Sequence, residues 1–151
     1  QTRVGVVAFP TIRDAASTAM QLIRKGVSVQ CMEIMDDVQM DVINRAGGTG
    51  REWKVSPTLF FKFSGTVAGV ADSIDMTTKL AQGNNAQSFE FARDDREAHD
   101  LWSARKQSLW SMMALRKEGS EVWSTDVAVP ISRLPDIIGM ASLRLIPLHV
   151  Y

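Results

Sequence analysis

The apolar positions of the chain change period in a regular way: continuous or two-residue runs give way to three- and four-residue spacing and then return. Val4 to Phe9 is a continuous apolar run ended by Pro10, the pattern of a buried strand. Thr11 with Asp14 three positions later predicts a capped helix carrying Ala15, Ala16, Ala19, Met20, Leu22 and Ile23, stopped at Lys25-Gly26. Val27 to Met35 reads as a second strand, and Asp36-Asp37 opens a helix with Val38, Val42, Ile43 and Ala46 that ends at Gly47-Gly48-Thr49-Gly50. A second round follows. Thr58 to Phe63 is an aromatic strand, Ser64 to Thr66 caps a helix running through Leu80, and Gln87 to Arg93 alternates as a strand. Asp94-Asp95 opens the longest helix, to about Arg116, and a fifth strand from Val122 to Val129 precedes a last helix near Ser132.

Two β-α-β units in succession fold most economically as a ferredoxin-like α+β domain, an antiparallel sheet with the helices on one face. A parallel doubly wound alternative needs a glycine-rich strand-to-helix turn at its binding edge. The Gly47-Gly48-Thr49-Gly50 run follows a helix, not a strand, so it reads as a plain loop.

Composition narrows the function classes. The 151 residues include 17 basic and 17 acidic side chains, so no global field draws the chain to nucleic acid or anionic lipid. At 45% hydrophobic and 23% charged the chain is globular rather than disordered. Cys31 is the single cysteine, which rules out an internal disulfide, and no Cys/His spacing fits zinc. No apolar run approaches the roughly 20 residues of a membrane-spanning helix. The chain opens on Gln1 directly before an apolar run, which points to a fragment whose beginning lies upstream.

The long helix holds the informative residue. At ~100° per residue, Ala98, Leu101, Trp102, Leu109 and Met112 fall along one direction, and Arg105 lies in the middle of that stripe. A guanidinium among apolar side chains needs an anion, because it cannot shed its proton. The anion is either a protein carboxylate in a structural ion pair or the carboxylate of a bound substrate. Glu33 and Lys62 interrupt apolar strands, and alternation can place both on an outer, solvated face. His99 reads as a surface residue beside Asp95 and Asp100, His149 has no metal partner at ligand spacing, and the eight methionines read as core filler. Ser17, Ser64, Ser103 and Cys31 lack the base and orienting acid of a nucleophile.

The residues then point to a family. Leu101-Trp102-Ser103-Ala104-Arg105-Lys106, Leu59-Phe60-Phe61-Lys62-Phe63-Ser64-Gly65, Met32-Glu33-Ile34-Met35-Asp36-Asp37-Val38 and the long string from Val122 to Pro135 resemble the C-terminal substrate domain of FAD-linked oxidases, of the cytochrome-dependent D-lactate dehydrogenase type. The resemblance covers about Val4 to Ile138, which sets a domain at 1–138 and a divergent tail at 139–151. It implies a mitochondrial flavoprotein that oxidises D-lactate to pyruvate, passing hydride to FAD held mainly by an upstream domain, and electrons to cytochrome c. It also implies that Arg105 binds the substrate carboxylate and that Leu109, Trp110 and Phe63 complete the substrate-binding set. Large apolar side chains at Leu109 and Trp110 suit a small substrate by filling the pocket.

Where the family continues toward a Gly-His-x-Gly-Asp-Gly-Asn-x-His motif that supplies a divalent metal site and catalytic histidines, this chain reads Gly139-Met140-Ala141-Ser142-Leu143. That departure points to a truncated chain with no catalytic residue of its own and no activity alone. The alternative from another class is a free-standing ferredoxin-like module for ligand binding or dimerisation, using an exposed sheet.

Overall fold

The computed structural model describes residues 1–145, with side chains through Met140. The last part of the tail, 146–151 with His149, lies outside the described residues. Four strands, β1 (Thr2–Ala8), β2 (Cys31–Met35), β3 (Thr58–Ser64) and β4 (Ser88–Phe91), form one antiparallel sheet in the order β2-β3-β1-β4. The helices are α1 (Ile12–Arg24), α2 (Asp37–Ala46), α3 (Val67–Gly83), α4 (Asp95–Leu115) and α5 (Leu134–Leu145). The α+β class and the duplicated β-α-β order expected from the sequence are both present.

Local chemistry explains the helix starts. Thr11, Asp36, Thr66 and Asp94 all stand as extended N-caps, and each side chain accepts from the amide three residues on. At the far end of α2, Gly47 takes φ 70° as the C-cap, a conformation that favours a residue without Cβ. The Val27 amide donates to the Leu22 carbonyl to close α1, and β2 begins at Cys31 rather than at Val27.

Two features depart from the sequence reading. The helices are not confined to one face. Leu59, Phe61 and Phe63 of β3 join Val7, Phe9, α1 and α3 in one apolar cluster, while Phe60 joins Val4, Val6, α2, Trp53 and α4 in another. Adjacent strand residues point to opposite faces, and Phe60 and Phe61 are both wholly buried, so neither face of this sheet is left to water. The connection from β2 to β3 carries α2 across the second face, and α4 lies beside it.

The second departure is Val122 to Val129, which is irregular chain rather than a fifth strand. A strand is held by its ladder partner, and no described strand pairs with this stretch. Trp123 and Val127 are both exposed. The chain then turns through a short 3-10 segment, Ile131–Arg133, into α5, which rests on α1.

Candidate functional site

Arg105 sits midway along α4, at the rim of a cavity of about 440 Å³ that is also lined by Ile12, Glu33, Met35, Gln39 and Ser108. The helix, the β2 edge strand and the start of α2 meet there. Arg105 forms an ion pair through its Nε with Glu33 Oε2, and the two side chains are 41% and 28% exposed. The cation is therefore half-buried rather than enclosed in an apolar stripe. Of that stripe, Leu101 and Trp102 are buried, whereas Leu109 and Met112 are exposed.

Asp36 and Gln39 of the cavity are engaged locally. Asp36 Oδ1 accepts from the Gln39 amide at 2.7 Å as the cap of α2, and Gln39 Nε2 donates to the Ser108 carbonyl at 3.2 Å, tying α2 to α4. On the same sheet face, Lys62 lies with its Nζ 4.1 Å from the centre of the Trp102 ring, a cation–π contact between β3 and α4. Glu33 and Lys62 thus occupy a helix-covered face, not the solvated outer face that alternation alone allowed.

The substrate-binding set expected from the sequence is not gathered at one place. Phe63 is wholly buried in the cluster with α1 and α3, on the sheet face opposite α4, because it shares parity with Leu59 and Phe61. It does not line the cavity. Trp110 is 67% exposed, and neither it nor Leu109 lines the cavity. Glu33 is the residue to which the sequence alone assigns no role. The signal is an acid in the middle of the apolar β2, and its pairing becomes visible only once α4 is laid across that strand.

A larger depression, of about 640 Å³, lies between α1 and α5. Its two arginines, Arg13 and Arg133, share Asp136 at 3.4 and 3.3 Å, and all three side chains are exposed, so its charges are solvated. His99 is a surface residue 3.8 Å from Asp100. Among the described residues no group of three His, Cys, Asp or Glu side chains could hold a metal ion, and no helix is long and apolar enough to cross a membrane. Nor does the glycine run fit the pyrophosphate of FAD. Gly47-Gly48-Thr49-Gly50 leaves the C-terminus of α2, where carbonyls rather than amides are unsatisfied.

Known proteins share this sequence at length. The chain is 42% identical over 140 residues to the mitochondrial D-lactate dehydrogenase [cytochrome] of Kluyveromyces lactis, covering 89% of this chain and 24% of that protein. It is 40% identical over 140 residues to D-lactate dehydrogenase [cytochrome] 1, mitochondrial, of Saccharomyces cerevisiae, again covering 89% of this chain and 24% of the relative. It is 35% identical over 142 residues to the mitochondrial D-lactate dehydrogenase [cytochrome] of Arabidopsis thaliana, covering 94% and 24%. The chain thus spans about a quarter of the length of these curated relatives. The family model described as FAD linked oxidases, C-terminal domain, matches residues 1–145, which hold the whole four-stranded sheet and its five helices. On that match the chain belongs to the C-terminal domain family of the FAD-linked oxidases.

Proposed function

We propose that this chain is the substrate-binding part of an FAD-dependent D-2-hydroxy-acid dehydrogenase acting on D-lactate, and that Arg105 binds the substrate carboxylate. The observation that carries the reading is the guanidinium at the rim of a cavity roomy enough for a three-carbon acid, which stays 41% exposed although Glu33 already pairs with it. The relatives named D-lactate dehydrogenase support the choice of substrate. FAD, when bound by a part of the protein outside these residues, supplies the acceptor for the hydride leaving C2 of D-lactate, giving pyruvate. This chain's contribution is positional: a planar guanidinium can hold a carboxylate with two parallel hydrogen bonds, fixing the direction in which C2 points. Ile12 and Met35 belong to the apolar part of the cavity wall. Leu109 and Trp110, exposed farther along α4 and outside the cavity, belong to the surface that the remainder of such an enzyme covers. The reading further carries electron transfer to cytochrome c and a mitochondrial location; the relatives' names, which give a cytochrome and the mitochondrion, support the acceptor class and the compartment. A divalent metal would have to be held by residues outside those described.

The test uses the full-length flavoprotein that contains this chain. Anaerobic mixing with D-lactate should bleach the flavin absorbance. Arg105→Lys keeps the charge and loses the planar fork, so kcat/KM should fall about 10-fold or more, ~1.4 kcal/mol of transition-state stabilisation, with an unchanged circular dichroism spectrum. Unbleached flavin, or a lysine variant with native kcat/KM, overturns the reading.

A further inference from the structure

We propose that Glu33 is a positioning residue for the substrate carboxylate: by holding Arg105 at Nε it fixes the plane of the guanidinium and leaves the Nη1/Nη2 edge for the ligand. The inference rests on the reading of Arg105 as the carboxylate-binding group. Its basis is the division of the guanidinium between two edges. Arginine carries five N–H donors in a rigid fork, and a carboxylate can take either the edge that includes Nε or the edge formed by the two terminal nitrogens. Glu33 makes its closest approach to Arg105 at Nε, and no hydrogen bond from either Nη nitrogen to another described residue accompanies it. The proposal gives the Nε side to Glu33 and the Nη1/Nη2 edge to the ligand.

The other acid of the cavity is already engaged. Asp36 holds the N-terminus of α2, with Oδ1 2.7 Å from the Gln39 amide. Glu33 is itself fixed by its strand: it pairs in register with the wholly buried Phe60, and its second carboxylate oxygen lies 3.6 Å from Cys31 Sγ. A flexible α4 side chain, half in solvent, is thereby tied to the sheet. Without that tie, the guanidinium must be immobilised each time a substrate binds, which weakens binding without touching the chemical step.

Glu33 also carries a negative charge, which repels a bound carboxylate, and the two effects have opposite signs. Substitutions separate them. In the full-length FAD-loaded protein, Glu33→Ala removes anchor and charge, whereas Glu33→Gln removes the charge but keeps a carbonyl oxygen at the same reach to accept from Nε. Positioning requires that Glu33→Ala raise KM for D-lactate about 10-fold with kcat within about twofold, and that Glu33→Gln restore KM to within about threefold of the parent. Equal KM values for the alanine and glutamine variants, in either direction, overturn the proposal. If Arg105→Lys raises KM while Glu33→Ala does not, Arg105 binds the substrate but Glu33 does not position it. If Arg105→Lys leaves KM unchanged, the underlying reading of Arg105 has failed instead. Should the alanine variant not fold, the Arg105 Nε–H resonance decides the matter: slow solvent exchange in the parent and in Glu33→Gln supports the anchor, and fast exchange in the parent overturns it.

Discussion

The ring of Phe91 on β4 occupies the space beside Gly5 on β1 where any other residue would place its Cβ. The two residues face each other across the antiparallel pair, and a Cβ built on Gly5 would stand 2.5 Å from Phe91 Cδ1. Glycine in the middle of a strand ordinarily weakens it, so alanine there would be expected to stabilise an isolated strand. Here the sign reverses, because the ring has to move. We expect Gly5→Ala to cost about 1–3 kcal/mol, read as a lower urea midpoint at unchanged m-value. Combining it with Phe91→Leu should recover part of that loss. A single alanine variant as stable as the parent would show that the ring has room to shift.

Asn44 holds the backbone of Trp53 from both sides. Its Oδ1 accepts from the Trp53 amide at 2.8 Å and its Nδ2 donates to the Trp53 carbonyl at 2.7 Å, which fixes the loop that carries the buried indole against Phe60. Asn44→Ala leaves two backbone groups of a buried residue without these partners, at a cost of about 1–3 kcal/mol. Asn44→Asp keeps the acceptor but sets a carboxylate against the Trp53 carbonyl, so it should not rescue stability at neutral pH. Calorimetric melting of both variants checks the claim. A native melting temperature for Asn44→Asp would mean that the amide donor is dispensable.

The start of α4 keeps one carboxylate ionised far into acid. Glu97 accepts from the Arg93 side chain and from the Arg93 backbone amide, and Asp94 caps the Glu97 amide in return. The Arg93 side-chain hydrogen bond, followed by its backbone amide, holds the Glu97 carboxyl at about 2, down from the ordinary 4.5. A carboxyl whose pKa is lowered by folding stabilises the folded state above its ordinary value and loses that effect as the pH falls from 4.5 through about 2. The Arg93 guanidinium faces solvent, so salt should weaken the effect. Carbon-13 titration should find a Glu97 midpoint near 2 that moves up toward the ordinary range in Arg93→Ala. A midpoint unaffected by the substitution would assign the lowering to something other than the Arg93 side chain.

Much of this architecture is legible in the sequence because it is written in local chemistry. Thr11, Asp36, Thr66 and Asp94 announce their helices by side-chain capping, an interaction that spans three residues and needs no tertiary context. The aromatic run from Leu59 to Phe63 announces a strand for a similar reason. It does not announce how many faces of that strand are covered, since adjacent Phe60 and Phe61 are compatible with one buried face and one exposed patch until α2 and α4 are placed. Val122 to Val129 has the composition of a strand, but a strand also needs a neighbour, and neighbours are not a property of the segment itself.

The candidate site is legible only in part. Arg105 stands out as a cation in an apolar stripe, and in the structure it pairs with Glu33 while staying 41% exposed. Which acid meets it depends on how β2 and α4 cross, a relation between distant segments that no short pattern records. Phe63 is not a residue of the cavity: it lies on the interior strand β3, enclosed with Leu59, Phe61, α1 and α3.

The order of the strands has a consequence for self-association. The two seven-residue strands, β1 and β3, lie in the interior of the sheet, and the five-residue β2 and four-residue β4 form its margins. Leu59-Phe60-Phe61-Lys62-Phe63 is the most adhesive stretch of the chain, apolar and aromatic enough to nucleate cross-β stacking if its backbone were free. In the native domain both of its hydrogen-bonding edges are occupied by β1 and β2, and both of its faces are roofed by helices. The backbone that remains open at the margins is too short to template a second sheet readily. Cross-β association through this stretch is thus gated by unfolding, and any substitution that loosens β2 removes the first of the guards.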